Sequence, residues 1–135
     1  MNYWGATPFD NEAAEDWLYD FGENDFRLID RTLAGIANLR AVDVLDEWES
    51  SEALVAAECV AAACGQPAAE LPDELKEWLD ANAPMQVKPE YVTMARQATA
   101  RVHTRSEARD IWLATEHFDL WDTAVTDLRA RLAKI

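Results

Sequence analysis

Glu58 is the residue whose type and setting most suggest chemistry. From Ala53 to Cys64 every other side chain is apolar, and its helical neighbours three and four positions away are Leu54, Val55, Ala61 and Ala62. An ionised carboxylate in such surroundings is costly unless it is paired. Two readings follow. In the first, an internal donor satisfies it: backbone amides of the N-terminal leader, the Trp4 indole N–H or an arginine. In the second, it is a pocket acid whose pKa is raised by burial and which meets a ligand. We expect the first, a structural latch. The other chemistry-bearing residue types do not assemble. His103 and His117 have no metal-type spacing to a second ligand. Cys59 and Cys64 lie five apart on one helix, turned about 140° from each other, so they read as small buried hydrophobes. Ser50, Ser51 and Ser106 stand near expected helix starts, where capping accounts for them. There is no phosphate loop, and the spacing of the 26 acids selects no acid and base pair. No catalytic residue, cofactor or metal ligand is assigned, and the chain reads as a non-enzyme.

Charge is the second signal. The net charge of -14 is concentrated early: residues 1–25 hold seven acids and no Lys or Arg, whereas residues 83–135 hold seven acids against eight bases. An acidic surface repels phosphate and anionic lipid, so direct nucleic-acid binding and membrane docking are disfavoured and a basic protein partner is expected. Glu12, Glu15, Asp16 and Asp20 are the candidate contact residues, since they fall on one expected helix face. Asp43 to Glu49 is also acid-rich, but it lacks the spacing and the Gly of a calcium loop and reads as a solvated turn, or a short helix carrying Trp48 inward. No run approaches the roughly 18 apolar residues of a membrane span. The N-terminus lacks a basic region followed by an apolar core, so a cytoplasmic location is expected.

The elements that must position these residues are helices. No alternating run long enough for a strand is present, and 135 residues suit one domain, 1–135, able to bury its own core. A first helix starts near Asn11 and turns Ala14, Trp17, Leu18 and Phe21 inward, with Gly22 placed to stop it. A second, about Asp25 to Arg40, buries Phe26, Ile29, Leu33 and Ile36. The third, about Ser51 to Cys64, is apolar all round and must be central, with Gly65-Gln66-Pro67 as its stop. Leu71-Pro72 opens a helix burying Leu75, Trp78 and Leu79, with Pro72 at its first position. Another carries Tyr91, Ala95, Ala98 and Val102. Thr104 and Glu107 have capping-box spacing for a helix with Ala108, Ile111 and Trp112 inside. The last opens near Asp119, buries Trp121, Ala124, Val125, Leu128 and Leu132, and ends in Arg129, Arg131 and Lys134, which suit its dipole. The expected fold is all-α, a compact bundle of about six or seven helices.

Ahead of them lies an irregular leader. Gly5 permits backbone angles closed to other residues, Pro8 fixes its own φ and holds Thr7 extended, and Asp10 or Asn11 can cap the first helix. Trp4 and Phe9 are expected to fold back as plugs, so that Trp4, Gly5, Pro8 and Phe9 join Glu58 in latching the leader onto the central helix.

Three groups of residues together resemble the bacterial family known as domain of unknown function 4259: Trp4-Gly5 with Pro8-Phe9-Asp10-Asn11 and Ala14 to Trp17; Ser51-Glu52-Ala53 through Ala57-Glu58 to Gly65-Gln66-Pro67; and Leu71-Pro72 with Trp78. The first 80 or so residues are similar closely and the remainder only in pattern. The resemblance implies a fold unit and brings no substrate. The expected function is that of a non-enzymatic protein-binding module acting on a basic partner, with an immunity or inhibitor protein as one concrete form. The alternatives are a nucleic-acid mimic, and a structural domain or small-ligand binder using Glu58.

Overall fold

The computed structural model describes residues 1–135, except for the side chains of residues 23–25. Six α-helices follow in order: α1 (Glu12–Ala37), α2 (Glu47–Ala63), α3 (Asp73–Asn82), α4 (Pro89–Thr104), α5 (Glu107–Leu113) and α6 (Phe118–Ala133). Among the described residues the sole extended pairing is a bridge between Tyr3 and Asn11, so the fold is all-α as its periodicity predicts. Among the described residues no helix is long and apolar enough to cross a membrane.

α2 forms the centre. Residues Ala53 to Ala62 are all buried, and the helix packs against each of the others. Its alanines are the physical reason: a methyl side chain lets a neighbouring backbone approach closely on every side, where larger residues would hold it off. Gly65, with φ of 83°, ends the helix in a Schellman motif, in which Gln66 N–H donates to the Ala61 carbonyl at 2.8 Å and Gly65 N–H to Ala62 at 3.1 Å. The start lies earlier than Ser51. Asp46 caps it by accepting from Glu49 N–H at 2.8 Å, Ser50 and Ser51 are buried within the helix, and Trp48, expected inside, is 37% exposed on its first turn.

α1 has 26 residues and is not straight. Trp17 Nε1–H donates to Thr32 Oγ1 at 2.9 Å. In a straight helix these residues would stand roughly 22 Å apart along the axis, more than their side chains can span. The helix therefore doubles back between them, an interval that contains Gly22, the expected stop. The separate second helix expected from about Asp25 to Arg40 is instead the second arm of α1, which ends at Ala37. The two arms meet α3 and α4 through an aromatic cluster: Phe21 and Phe26 pack on Trp78 at 4.8 and 5.7 Å between ring centroids, and Phe26 stacks on Tyr91 at 5.7 Å.

Several ends differ by local chemistry. Pro72 is the residue before α3 rather than its first position. Ser106, not Thr104, caps α5, accepting from Arg109 N–H at 3.1 Å, while the Glu107 carboxylate accepts from Glu47 N–H at 3.0 Å and ties α5 to the start of α2. Ile111, expected inside, is at the surface, because α5 is too short for its far side to reach a neighbour.

The leader packs on the N-terminal half of α2, with Ala6 and Phe9 against the core and Tyr3 edge-on to Trp112 at 5.1 Å. Burial pushes the Tyr3 hydroxyl up to about 12. Its turn closes on itself: Trp4 N–H donates to Asp10 O, Asp10 N–H to Thr7 O and Glu12 N–H to Asn2 O, each at 3.0 Å. Asn11 then caps α1, accepting from Ala14 N–H at 2.9 Å. Gly5 is needed for room and not for its φ, which is not positive. A Cβ there would stand 2.8 Å from Asp10 Cγ, displacing the carboxylate that accepts from Thr7 N–H. Gly5→Ala is accordingly expected to destabilise by about 1 to 2 kcal/mol and to open the leader. Limited proteolysis would then cut the variant near Thr7 well before the parent. Equal resistance would mean that Asp10 moves aside without cost.

Candidate functional site

A cleft of about 760 Å³ lies between the leader, the segment after α2 and the outer face of α6. The leader contributes Trp4, Pro8, Phe9 and Asp10, and α1 contributes Glu15 and Leu18. Ala68 to Pro72 and Glu74 form a second wall, and Leu120, Thr123, Ala124 and Asp127 of α6 form the third. Its volume falls in the range of ordinary ligand sites, roughly 300 to 1,000 Å³.

Glu58 and Arg131 border this cleft from within. Glu58 is 1% exposed, and both of its oxygens accept from one guanidinium: Arg131 Nη1 to Oε1 at 2.8 Å and Nη2 to Oε2 at 3.0 Å. Arg131 also donates from Nη1 to the Gln66 carbonyl at 3.2 Å and from Nε to Asp127 Oδ2 at 2.8 Å. The partner of Glu58 is thus an arginine, neither Trp4 nor the leader amides. The bond ties α2 to the last turn of α6 and to the backbone just beyond Gly65. Burial pushes the Glu58 carboxyl above its ordinary range, and the Arg131 guanidinium offsets only part of that rise. The sequence reading placed Arg131 only among the bases that suit the C-terminal end of α6. The signal that identifies it is the need of Glu58 for a planar, two-pronged donor.

Trp4 does not plug the core. It is 57% exposed on the rim of the cleft, with Leu120, 56% exposed, on the α6 side. The turn that accommodates Gly5 and Asp10 points the residue between the Tyr3 anchor and that turn outward. Pro8 is buried and Phe9 half-buried, so those two do face inward.

The acidic face of α1 continues from this rim. Glu15, Asp16, Tyr19 and Asp20 are exposed along one side of the first arm, with Glu12 half-buried beside them and Tyr19 81% exposed at the centre. Glu15 belongs to both surfaces. Within the cleft, Glu15, Glu70 and Glu74 have no counter-ion among the described residues, whereas the charge of Arg131 is already met by Glu58 and Asp127. The field of the cleft is therefore negative.

Elsewhere, His103 joins α4 to α6. Its Nδ1 lies 2.8 Å from Arg129 Nη1 and its Nε2 2.6 Å from Asp122 Oδ1. Because a guanidinium only donates, Nδ1 must accept, which leaves the ring proton on Nε2 for Asp122. This is a structural bridge with no nucleophile in it. His117 is exposed just before α6. Cys59 and Cys64 are free thiols, both raised by burial, Cys59 strongly, and neither is poised as a nucleophile. Among the described residues no group of three or more His, Cys, Asp or Glu side chains is placed to hold a metal ion.

Taken together, a buried alanine-rich helix, a self-closing leader beneath an acidic cleft and a buried Glu–Arg tie define an all-α class of small acidic protein. The family model described as domain of unknown function (DUF4259) matches residues 2–124, and the chain belongs to that family. The match takes in the leader, α2 and much of the C-terminal third. No curated protein and no solved structure matches the chain.

Proposed function

We propose that this protein is a non-enzymatic binding module for a basic protein, engaged through the first arm of α1. The observation that supports it most is the exposed side of that arm. Glu12, Glu15 and Asp16 share it with Asp20 and an exposed Tyr19, and residues 1–25 bring no Lys or Arg of their own to that arm. Dense like charge on a rigid helix speeds encounter with a cationic surface, and an exposed tyrosine within it supplies the contact area that charge alone lacks. An immunity or inhibitor protein masking a basic surface is one concrete form. Nucleic-acid mimicry ranks lower, because the row of carboxylates occupies one short arm and not an extended track. A small-ligand site built on Glu58 also ranks lower, since both of its oxygens are occupied by Arg131.

Capture from lysate at low and high salt tests this reading, with the parent set beside Glu12→Gln/Asp16→Asn/Asp20→Asn. The parent is expected to retain a basic protein that salt elutes and that the variant fails to hold. Equal retention by both would overturn it.

A further inference from the structure

We propose that the cleft between the leader and α6 seats an aliphatic-stemmed cationic side chain, Lys or Arg, of the basic partner, with Trp4 and Leu120 against the stem and Glu15, Glu70 and Glu74 around the charged head. This rests on the reading above that the partner is basic, and it names where that partner anchors. Three observations converge on it. First, the cleft is amphipathic. Its rim carries two large, half-exposed apolar side chains on opposite walls, an arrangement that suits a ligand with an apolar body. Second, three lining carboxylates have no partner among the described residues, where the one base of the lining, Arg131, is held by two carboxylates and a backbone carbonyl. An anionic ligand would meet repulsion and no available guanidinium, and a neutral one would strip water from carboxylates without compensation. Third, Glu15 belongs both to the cleft and to the acidic side of α1, so a partner lying on that helix arrives at the mouth of the cleft. Lys and Arg combine an apolar stem with a charged tip, and a tryptophan face attracts the cation itself.

Nuclear magnetic resonance titration of the full chain tests this with three probes: Nα-acetyl-arginine methylamide, the lysine analogue, and the uncharged norleucine analogue. A cationic probe is expected to shift the Trp4 indole N–H and the amides of Ala69, Leu71, Leu120 and Asp127 along a saturating curve, with norleucine much weaker. Glu15→Gln/Glu70→Gln/Glu74→Gln should raise the dissociation constant about tenfold, since each exposed pair contributes modestly. These are surface positions, and circular dichroism would verify that the variant stays folded. Norleucine shifting the same signals as strongly, or cationic probes shifting signals only elsewhere, would overturn the proposal. If the cleft variant keeps the basic partner while the α1 variant loses it, the anchor falls and the binding module stands. If both variants keep it, both readings fall.

Discussion

Glu58→Ala is expected to lower the stability of the fold by about 3 kcal/mol, near 10 °C in melting temperature for a chain of this size. Removing the carboxylate strands Arg131 beside an apolar helix, and the loss of one partner from a buried pair costs more than the pair itself contributes. The figure sits at the lower end for such pairs because Arg131 keeps Asp127 and the Gln66 carbonyl and touches the cleft. Glu58→Met/Arg131→Met should recover much of the loss, since two flexible apolar side chains can fill the space with no charge to bury. Thermal and urea unfolding of the parent, both single variants and the double variant measure the coupling. A Glu58→Ala protein that melts with the parent would end the latch reading. The pH dependence has a definite sign. A carboxyl whose folded-state pKa lies above its unfolded value adds stability that is complete below the unfolded value and lost as pH rises through the folded one. Acid unfolding is therefore not driven by Glu58. In Glu58→Gln, stability should fall less between the ordinary carboxylate range and the raised value.

Ala57→Leu should cost about 3 kcal/mol for the opposite reason, too much matter in place of too little. Ala57 is wholly buried in the stretch Ala53 to Ala62, every residue of which is buried, so a larger side chain there has no water to turn into. Leucine is nearly as good a helix former as alanine, which leaves steric crowding as the source of any loss. Ala57→Gly separates the two causes, since it adds no bulk and costs about 1 kcal/mol in propensity plus about 0.8 kcal/mol for the buried methyl it removes. Urea unfolding that ranks leucine below glycine would establish close packing around α2. The reverse order would mean that space exists beside Ala57 and that α2 is less tightly enclosed than its burial implies.

Much of the architecture was legible because helix burial follows from periodicity. The stripes Ile29, Leu33, Ile36 in α1, Ala95, Ala98, Val102 in α4 and Val125, Leu128, Leu132 in α6 are buried, and a run apolar but for Glu58 reads as a central helix. Gly65 was legible as a stop because a positive φ at a helix end is glycine's particular property. The fate of Trp4 was not. An aromatic in a leader reads as a plug, yet whether it turns in or out depends on how Asp10 closes the turn over Gly5, and composition does not encode that. Trp48 and Ile111 were misplaced for a similar reason: each stands in a first turn or on a short helix, where few neighbours exist to cover it.

The sequence by itself determined the all-α class, the central place of α2, the anomaly of Glu58 and the negative sign of the surface, because each depends on residue types read along one helix or summed over the chain. Only the tertiary structure decided that Arg131, 73 residues away, is the partner of Glu58, that the leader and α6 enclose a cleft, and that Trp4 stands on its rim. Those are relations between segments distant in sequence. A buried carboxylate demands a donor wherever one can be brought, and the chain's path through space selects which one arrives.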